Sequence, residues 1–315
     1  MRAAWPTTLI RGRSRLRHAE RRGDAHPSRQ PGVLEKDWSP DLSDDVAVHR
    51  TRRFERTRWP RPAQVRVSVV IPAMNEERNI GWVLERMPET VDEVILVDGN
   101  SEDETVAVSR QIRPDIRVVG QERPGKGAAL RAGFAAARGE YIVMIDADRS
   151  MDPAEIHRYL DLLDQGHDLV KGSRFMDGGG TADMELIRKL GNGVLRGLVN
   201  GLFQTDFTDL CYGFFAFRRN RLEDLALRSD GFEIETELVV RAIKADLRIG
   251  EVPSFESPRA YGESNLNTWR DGTRVLRTLL QHRVMRRDPT PAFVAAPEPE
   301  PDVMVAPEAA IEMTG

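Results

Sequence analysis

Between residues 65 and 287, short apolar runs rich in β-branched side chains alternate with stretches whose apolar positions recur every three or four residues. These are the periods of buried strands and of helices with one buried face. The pattern predicts strands over 65–71, 91–97, 116–119 and 141–145, separated by helices over 77–87, 103–112 and 126–138. Pro72 ends the first strand. Ile80, Val83, Leu84 and Met87 form the inward face of the first helix, and Leu130, Phe134 and Ala137 that of the third. Regular β/α alternation implies right-handed crossovers and a mostly parallel, doubly wound α/β sheet in a single domain spanning 65–287. Ligands of such sheets collect outside the carboxyl ends of the strands. The loops MNEE, DGNSEDE and DADRS should therefore converge on one edge. The second half is less regular. It predicts a strand over 169–172, a glycine loop at Gly178-Gly179-Gly180 that should be mobile, and a helix over 187–203. An aromatic strand over 210–217, a helix over 235–245, a strand over 247–252 and a final basic helix over 266–287 follow.

Composition changes this picture mainly at the two ends. The formal charge of −4 hides an asymmetry: the first 64 residues are rich in Arg, while the chain after Arg287 carries Asp and Glu with no Lys or Arg. Residues 1–64 lack a sustained apolar period and read as a disordered basic arm, and 288–315, rich in Pro, Ala and Glu, as a disordered tail. Such an arm is more simply a solvated tail than a nucleic-acid contact, so no nucleic acid is expected. The single Cys211 excludes an intrachain disulfide and a cysteine metal site, and it reads as a small buried hydrophobe. No run reaches the roughly 20 apolar residues of a membrane span, and the N-terminus has no apolar core of a secretory signal. The expectation is a cytoplasmic protein with at most peripheral contact at the inner face of the cell membrane.

Candidate chemistry centres on GEYIVMIDADRSMDP, residues 139–153. Asp146 and Asp148 stand where the fourth strand ends, one small residue apart, and two such carboxylates suit one hard divalent cation that also grips a diphosphate. The simpler alternative is a solvated turn, with Asp152 capping a helix that Pro153 opens. Glu76 and Asp98 stand at two further strand ends, where carboxylates accept hydrogen bonds from sugar hydroxyls and base N–H groups. Lys126, in Gly125-Lys126-Gly127, opens a helix whose free backbone N–H groups attract an anion. The last predicted helix sets Arg270, Arg274, Arg277, Arg283, Arg286 and Arg287 beside Trp269, Leu276, Leu279 and Leu280; it can lie on an anionic membrane, and packing on the domain with a solvated basic face is the simpler alternative.

Taken together, IPAMNEE, VILVDGNSEDET, GKGAALRAGFAAARGEYIVMIDAD, TDLCYGFFAFRR and RAYGES resemble glycosyltransferase family 2 of the GT-A fold, in particular the dolichyl-phosphate mannose and glucose synthase branch, over about residues 66–280. The resemblance implies an inverting hexosyltransferase that uses a nucleotide sugar, UDP-glucose or GDP-mannose. It implies that Asp146 and Asp148 form the D-x-D pair binding Mg²⁺ or Mn²⁺. Pro72, Ala73, Asn75, Glu76 and Asp98 then hold base and ribose, and Lys126 belongs to the donor site. Arg174, Arg188 and Arg259, with Ser264, surround an acceptor phosphate, expected to be polyprenyl phosphate. Asp148, Arg174 and Asp209 are the expected catalytic residues. A phosphate acceptor needs no general base, whereas a hydroxyl acceptor needs one, from Asp209, Glu233 or Glu235. The sequence departs from the family at Gly99, Phe215, Asn265 and Ser150, positions that bear on acceptor and sugar. Two other readings compete: the same donor chemistry with a soluble acceptor, as in glucosyl-3-phosphoglycerate synthases, and a noncatalytic nucleotide-sugar binding module.

Overall fold

The structure, a computed structural model, describes residues 47–48, 67–182, 184, 186–262 and 268–284. These lie in the compact unit Leu42–Gly315. The elements in chain order are β1 (Ala47–Val48), β2 (Val67–Ala73), α1 (Ile80–Glu85), β3 (Glu93–Asp98), α2 (Thr105–Ile112), β4 (Arg117–Gly120), α3 (Lys126–Ala136) and β5 (Tyr141–Met144). A 3₁₀ turn at Pro153–Glu155 leads into α4 (Ile156–Asp164), followed by β6 (Leu169–Ser173), β7 (Gly180–Thr181) and α5 (Leu186–Phe203). Then come β8 (Phe215–Arg218), α6 (Leu222–Leu225), α7 (Ile234–Lys244), β9 (Ile249–Pro253), β10 (Phe255–Glu256) and α8 (Thr268–Val284).

The main sheet has the order β1-β9-β6-β8-β5-β2-β3-β4. β2 pairs in parallel with β3 and β5, β3 with β4, and β6 with β9. This is the expected mostly parallel α/β sheet. β8 runs antiparallel to both neighbours, β5 and β6. The expected strand over 210–217 is realised only as Phe215–Arg218. The backbone N–H groups of Leu210 and Cys211 instead donate to Asn192 Oδ1 on α5, at 3.3 and 3.0 Å, which takes this stretch out of the ladder and leaves it as a loop. Two further expectations are modified. The glycine loop expected to be mobile is tied down, because Gly180–Thr181 pairs in parallel with Phe255–Glu256. Ala47–Val48, inside the stretch read as a disordered arm, pairs antiparallel with β9. The rest of that arm and the tail from 288 lie outside the described residues.

Strands buried on both faces explain the unbroken apolar runs of the sequence. In β2, Val69 and Ile71 face a layer formed with Ile80, Val83 and Leu84 of α1 and Ile156, Tyr159 and Leu163 of α4. Val70 faces the opposite layer, with Leu130 and Phe134 of α3 and Leu238 of α7. α3 lies unusually close to the sheet at Gly133, where a Cβ would stand 2.3 Å from Val70 Cγ1 and 2.8 Å from Val97 Cγ2.

One buried titratable group makes stability pH-dependent. His167, before β6, is buried, and its Nδ1–H donates to Leu162 O at 2.9 Å, while Nε2 has no partner. Burial pushes its pKa down to about 4. The unfolded chain, titrating near 6.5, therefore binds the proton first as pH falls, so the stabilisation is complete above about 6.5 and lost towards 4, amounting to about 3 kcal/mol. Thermal melts between pH 7 and pH 4.5 are expected to show this decline. It should be shallower in His167→Gln.

Candidate functional site

A cavity of about 580 Å³ opens at the carboxyl ends of β2, β3 and β5. Pro72 and Ala73 from β2, Gly99 after β3, and Asp146 and Asp148 after β5 form one wall, and Arg188 and Asn192 of α5 with Arg270 of α8 form the other. The strand-end loops thus meet as the alternation implied. Asn75 joins two of them: its backbone N–H donates to Ser101 Oγ at 3.0 Å, and its Oδ1 accepts from Glu102 N at 2.8 Å.

Each carboxylate of the D-x-D pair already faces a cation. Lys126 Nζ lies 2.7 Å from Asp146 and 2.8 Å from Glu235 Oε1. Burial raises the Asp146 carboxyl to about 6; Lys126 opposes that shift, while Asp148 and Glu235 add to it. Burial alone would lower the Lys126 ammonium, but Asp146 and Glu235 more than offset it and raise it above its ordinary value. Asp148 Oδ1 accepts from Ser150 N at 3.0 Å and Ser150 Oγ at 2.6 Å, which leaves Oδ2 turned toward Arg259 Nη2 at 3.3 Å. The other nitrogen of Arg259, Nη1, lies 2.9 Å from Glu76 Oε1. Glu76 is buried, which raises its carboxyl, and Asn79 and Arg259 hold the shift in check.

The sequence-derived residues divide into three groups. Pro72, Ala73, Glu76, Lys126, Asp146, Asp148, Arg174, Arg188 and Arg259 all reach the cavity wall. Asn75 is exposed in its clasp, and Asp98 accepts the Ser101 N–H in its own turn at 3.3 Å; neither lines the cavity. Ser264 lies outside the described residues. Arg259, expected with Arg188 at the acceptor, lines the same cavity and is paired there with Glu76 and Asp148.

Arg174 and Asp209 prove to be a buried strut. Nε and Nη2 of Arg174 donate to the two Asp209 oxygens at 2.7 and 3.1 Å, Nη1 to Glu256 at 3.1 Å, and Nη2 also to Cys211 O at 2.6 Å. Burial alone would raise the Asp209 carboxyl, but Arg174 holds it below its ordinary value. A wholly buried carboxylate, ionised and committed to a guanidinium, is poorly placed to take a proton from an acceptor. The expected free N–H groups of the GKG turn are also committed, since Gly127 N and Ala128 N donate to Asp230 O at 2.8 and 3.1 Å. Glycine is required there: a Cβ on Gly127 would stand 2.4 Å from Ser229 O. Cys211 lines the cavity from a loop, not a strand, with its thiol pushed up to about 12 by burial and by Glu235 and Asp209.

Several wall residues carried no signal in the sequence. Asn192 sits mid-helix with nothing to mark it. Phe232, whose ring lies 5.8 Å from Lys126 Nζ, has no polar group to mark it. Ser150 stood out only as a departure, and Arg270 was read for its charge alone.

A doubly wound sheet with a cavity at its carboxyl edge, lined in part by charged side chains that include a carboxylate pair, defines an α/β protein that takes a polar ligand across its strand ends. Residues 68–226 match the family model Glycosyl transferase family 2. Glycosyltransferase AglJ of Haloferax volcanii is 33% identical over 216 residues, covering 67% of this chain and 70% of that protein. The Dolichol-phosphate mannosyltransferase of Pyrococcus furiosus is 29% identical over 211 residues, 64% of this chain and 59% of that one. Among solved structures, glucosyl-3-phosphoglycerate synthase from Mycobacterium tuberculosis, in complex with Mn²⁺, UDP-glucose and phosphoglyceric acid, superposes with a TM-score of 0.57 at 27% identity, covering 73% of this chain and 87% of that one. The chain belongs to glycosyltransferase family 2 and is a glycosyltransferase of the GT-A fold. A noncatalytic binding module is thereby set aside.

Proposed function

We propose that the cavity binds a nucleotide-diphosphate hexose, UDP-glucose or GDP-mannose, with Mg²⁺ or Mn²⁺, and passes the hexose to polyprenyl phosphate at the inner face of a membrane. The observation that supports this reading is that one cavity is lined both by the carboxylates Asp146 and Asp148 and by the arginines Arg188 and Arg270. Arg188 has no carboxylate partner among the described residues, whereas Arg270 lies 3.6 Å from Asp271. No helix among the described residues is long and apolar enough to cross a membrane, so the acceptor would be met at a surface.

Asp146 and Asp148 fit a hard divalent cation. Among the described residues no third His, Cys, Asp or Glu joins them, and two carboxylates completed by substrate phosphates and water are the ordinary coordination for Mg²⁺. Lys126 on Asp146 and Arg259 on Asp148 balance the two carboxylates in the absence of an ion, so a bound ion would share or displace these contacts. The bound ion would neutralise charge gathering on the departing diphosphate. Ser150 orients Asp148 for that contact, and Glu76, Pro72 and Ala73 bound the space for the nucleoside. Arg188 and Arg270 would hold the acceptor phosphate, which is largely dianionic at neutral pH because its second pKa is about 6. Such a nucleophile needs no base, in keeping with the commitment of Asp209 to Arg174 and of Glu235 to Lys126.

A soluble phosphorylated acceptor is the second reading, favoured by the phosphoglyceric acid bound to the solved relative. Incubation with labelled donor, Mn²⁺ and either acceptor separates the two. We expect label in the organic phase with polyprenyl phosphate, and label that stays aqueous with phosphoglycerate alone would reverse the assignment. Arg188→Ala is expected to raise the acceptor KM by about 10- to 100-fold, the worth of charge-assisted hydrogen bonds. Donor KM should be unchanged, and steady-state kinetics with each substrate varied would check the split.

A further inference from the structure

The molecule carries an apolar stripe that its own core does not use. On α5, Leu186, Leu190 and Val194 follow one another at four-residue spacing, and they are 79%, 70% and 71% exposed. Ile187 is half exposed beside them. On α8, which packs against α5, Leu276 and Leu280 are likewise exposed. A cluster of aliphatic side chains turned to water on neighbouring helices marks a docking surface.

The charge around the stripe indicates what docks. α5 contains Arg188, Lys189 and Arg196 and no acid, and α8 carries Arg270, Arg274 and Arg277 with one acid, Asp271, which lies 3.6 Å from Arg270 and 3.5 Å from Arg274. In a chain whose net charge is −4, this is a concentrated positive face. A second copy of the chain would bring the same positive charge to the same face, which disfavours self-association through it. Aliphatic residues bordered by Arg and Lys suit the boundary between acyl chains and anionic headgroups. The same two helices form a wall of the cavity through Arg188, Gly191 and Leu195 of α5 and Arg270, Gly272 and Val275 of α8.

We propose that the α5 stripe, with α8 beside it, is a membrane-docking surface that selects anionic lipid and sets the cavity against the bilayer. The inference deepens the reading of a lipid-borne acceptor by naming where the lipid surface meets the fold. Its test uses vesicles free of polyprenyl phosphate, so the surface and the acceptor can fail separately.

Flotation of the full chain with vesicles of phosphatidylcholine alone, or of phosphatidylcholine mixed with phosphatidylglycerol, reads the surface directly. Binding should require phosphatidylglycerol and weaken at high salt, because surface charges are screened. Leu190→Glu/Val194→Glu, which alters neither cavity wall nor core, should weaken vesicle binding by at least about tenfold. Its melting temperature and its thermal shift with UDP and Mn²⁺ should stay as in the wild type. Equal binding to neutral vesicles, or full binding by the double variant, would overturn the proposal. So would a wild-type chain that ignores both vesicles and is dimeric by light scattering while the double variant is monomeric, since the face would then join two copies.

Discussion

Asp148→Ala should lower the rate of hexose transfer by about a thousandfold or more while leaving the protein folded, if the residue, as proposed, holds the leaving diphosphate through a metal, since it holds nothing in the core. Electrostatic stabilisation of a leaving group is worth several kcal/mol in such sites. Asp148 stands past the end of β5, and among the described residues its Oδ1 is bound by Ser150 and its Oδ2 by Arg259. In the variant Arg259 keeps Glu76 at 2.9 Å, so the loop that carries it retains an anchor. Single-turnover transfer with saturating Mn²⁺, read beside a thermal melt, checks both halves. A variant that transfers at the wild-type rate would show that the second carboxylate has no part in the metal site. A variant that is inactive because it has unfolded would show that the D-x-D turn belongs to the core.

Asp209→Ala should produce the opposite pattern, a loss of stability of about 3–5 kcal/mol, since breaking a buried ion pair leaves its partner without compensation. The Arg174 guanidinium would remain buried with Glu256, the Cys211 carbonyl and the Tyr212 ring as its remaining partners among the described residues. Urea unfolding should show the midpoint fall with the slope unchanged. Asp209→Asn separates this role from that of a general base. As a strut, the amide keeps part of the hydrogen bonding and much of the transfer rate; as a base, the residue would lose transfer on becoming neutral while the protein stayed nearly as stable.

The contrast between these two carboxylates shows what the sequence could and could not convey. Strand and helix periods located the sheet, and the acids of the strand-end loops located its functional edge, because both follow from local chain geometry. Asp146 and Asp148 were legible for that reason. The direction of β8 was not, since a short buried run reads alike in a parallel and an antiparallel ladder. Arg174 and Asp209 matched a family pattern, but their mutual pairing depends on β6 and the loop before β8 coming together across 35 residues. Gly127 could be read as exposing N–H groups to an anion, because the return of Ser229-Asp230 over the turn is a tertiary event. The pairing of Arg259 with Glu76 and Asp148 likewise depends on where the loop after β10 runs. Charge type and spacing predict what a residue can bind, and the fold decides which neighbour reaches it first.

Calorimetric titration of UDP and of GDP, each with and without Mn²⁺, tests the central claim most directly. If Asp146 and Asp148 present a divalent ion to the diphosphate, one of the two nucleotides binds at least about tenfold more tightly with Mn²⁺, and the gain disappears in Asp146→Ala/Asp148→Ala. Nucleotide affinity that is the same with and without metal would contradict the account, because Lys126 and Arg259 would then be holding the diphosphate themselves.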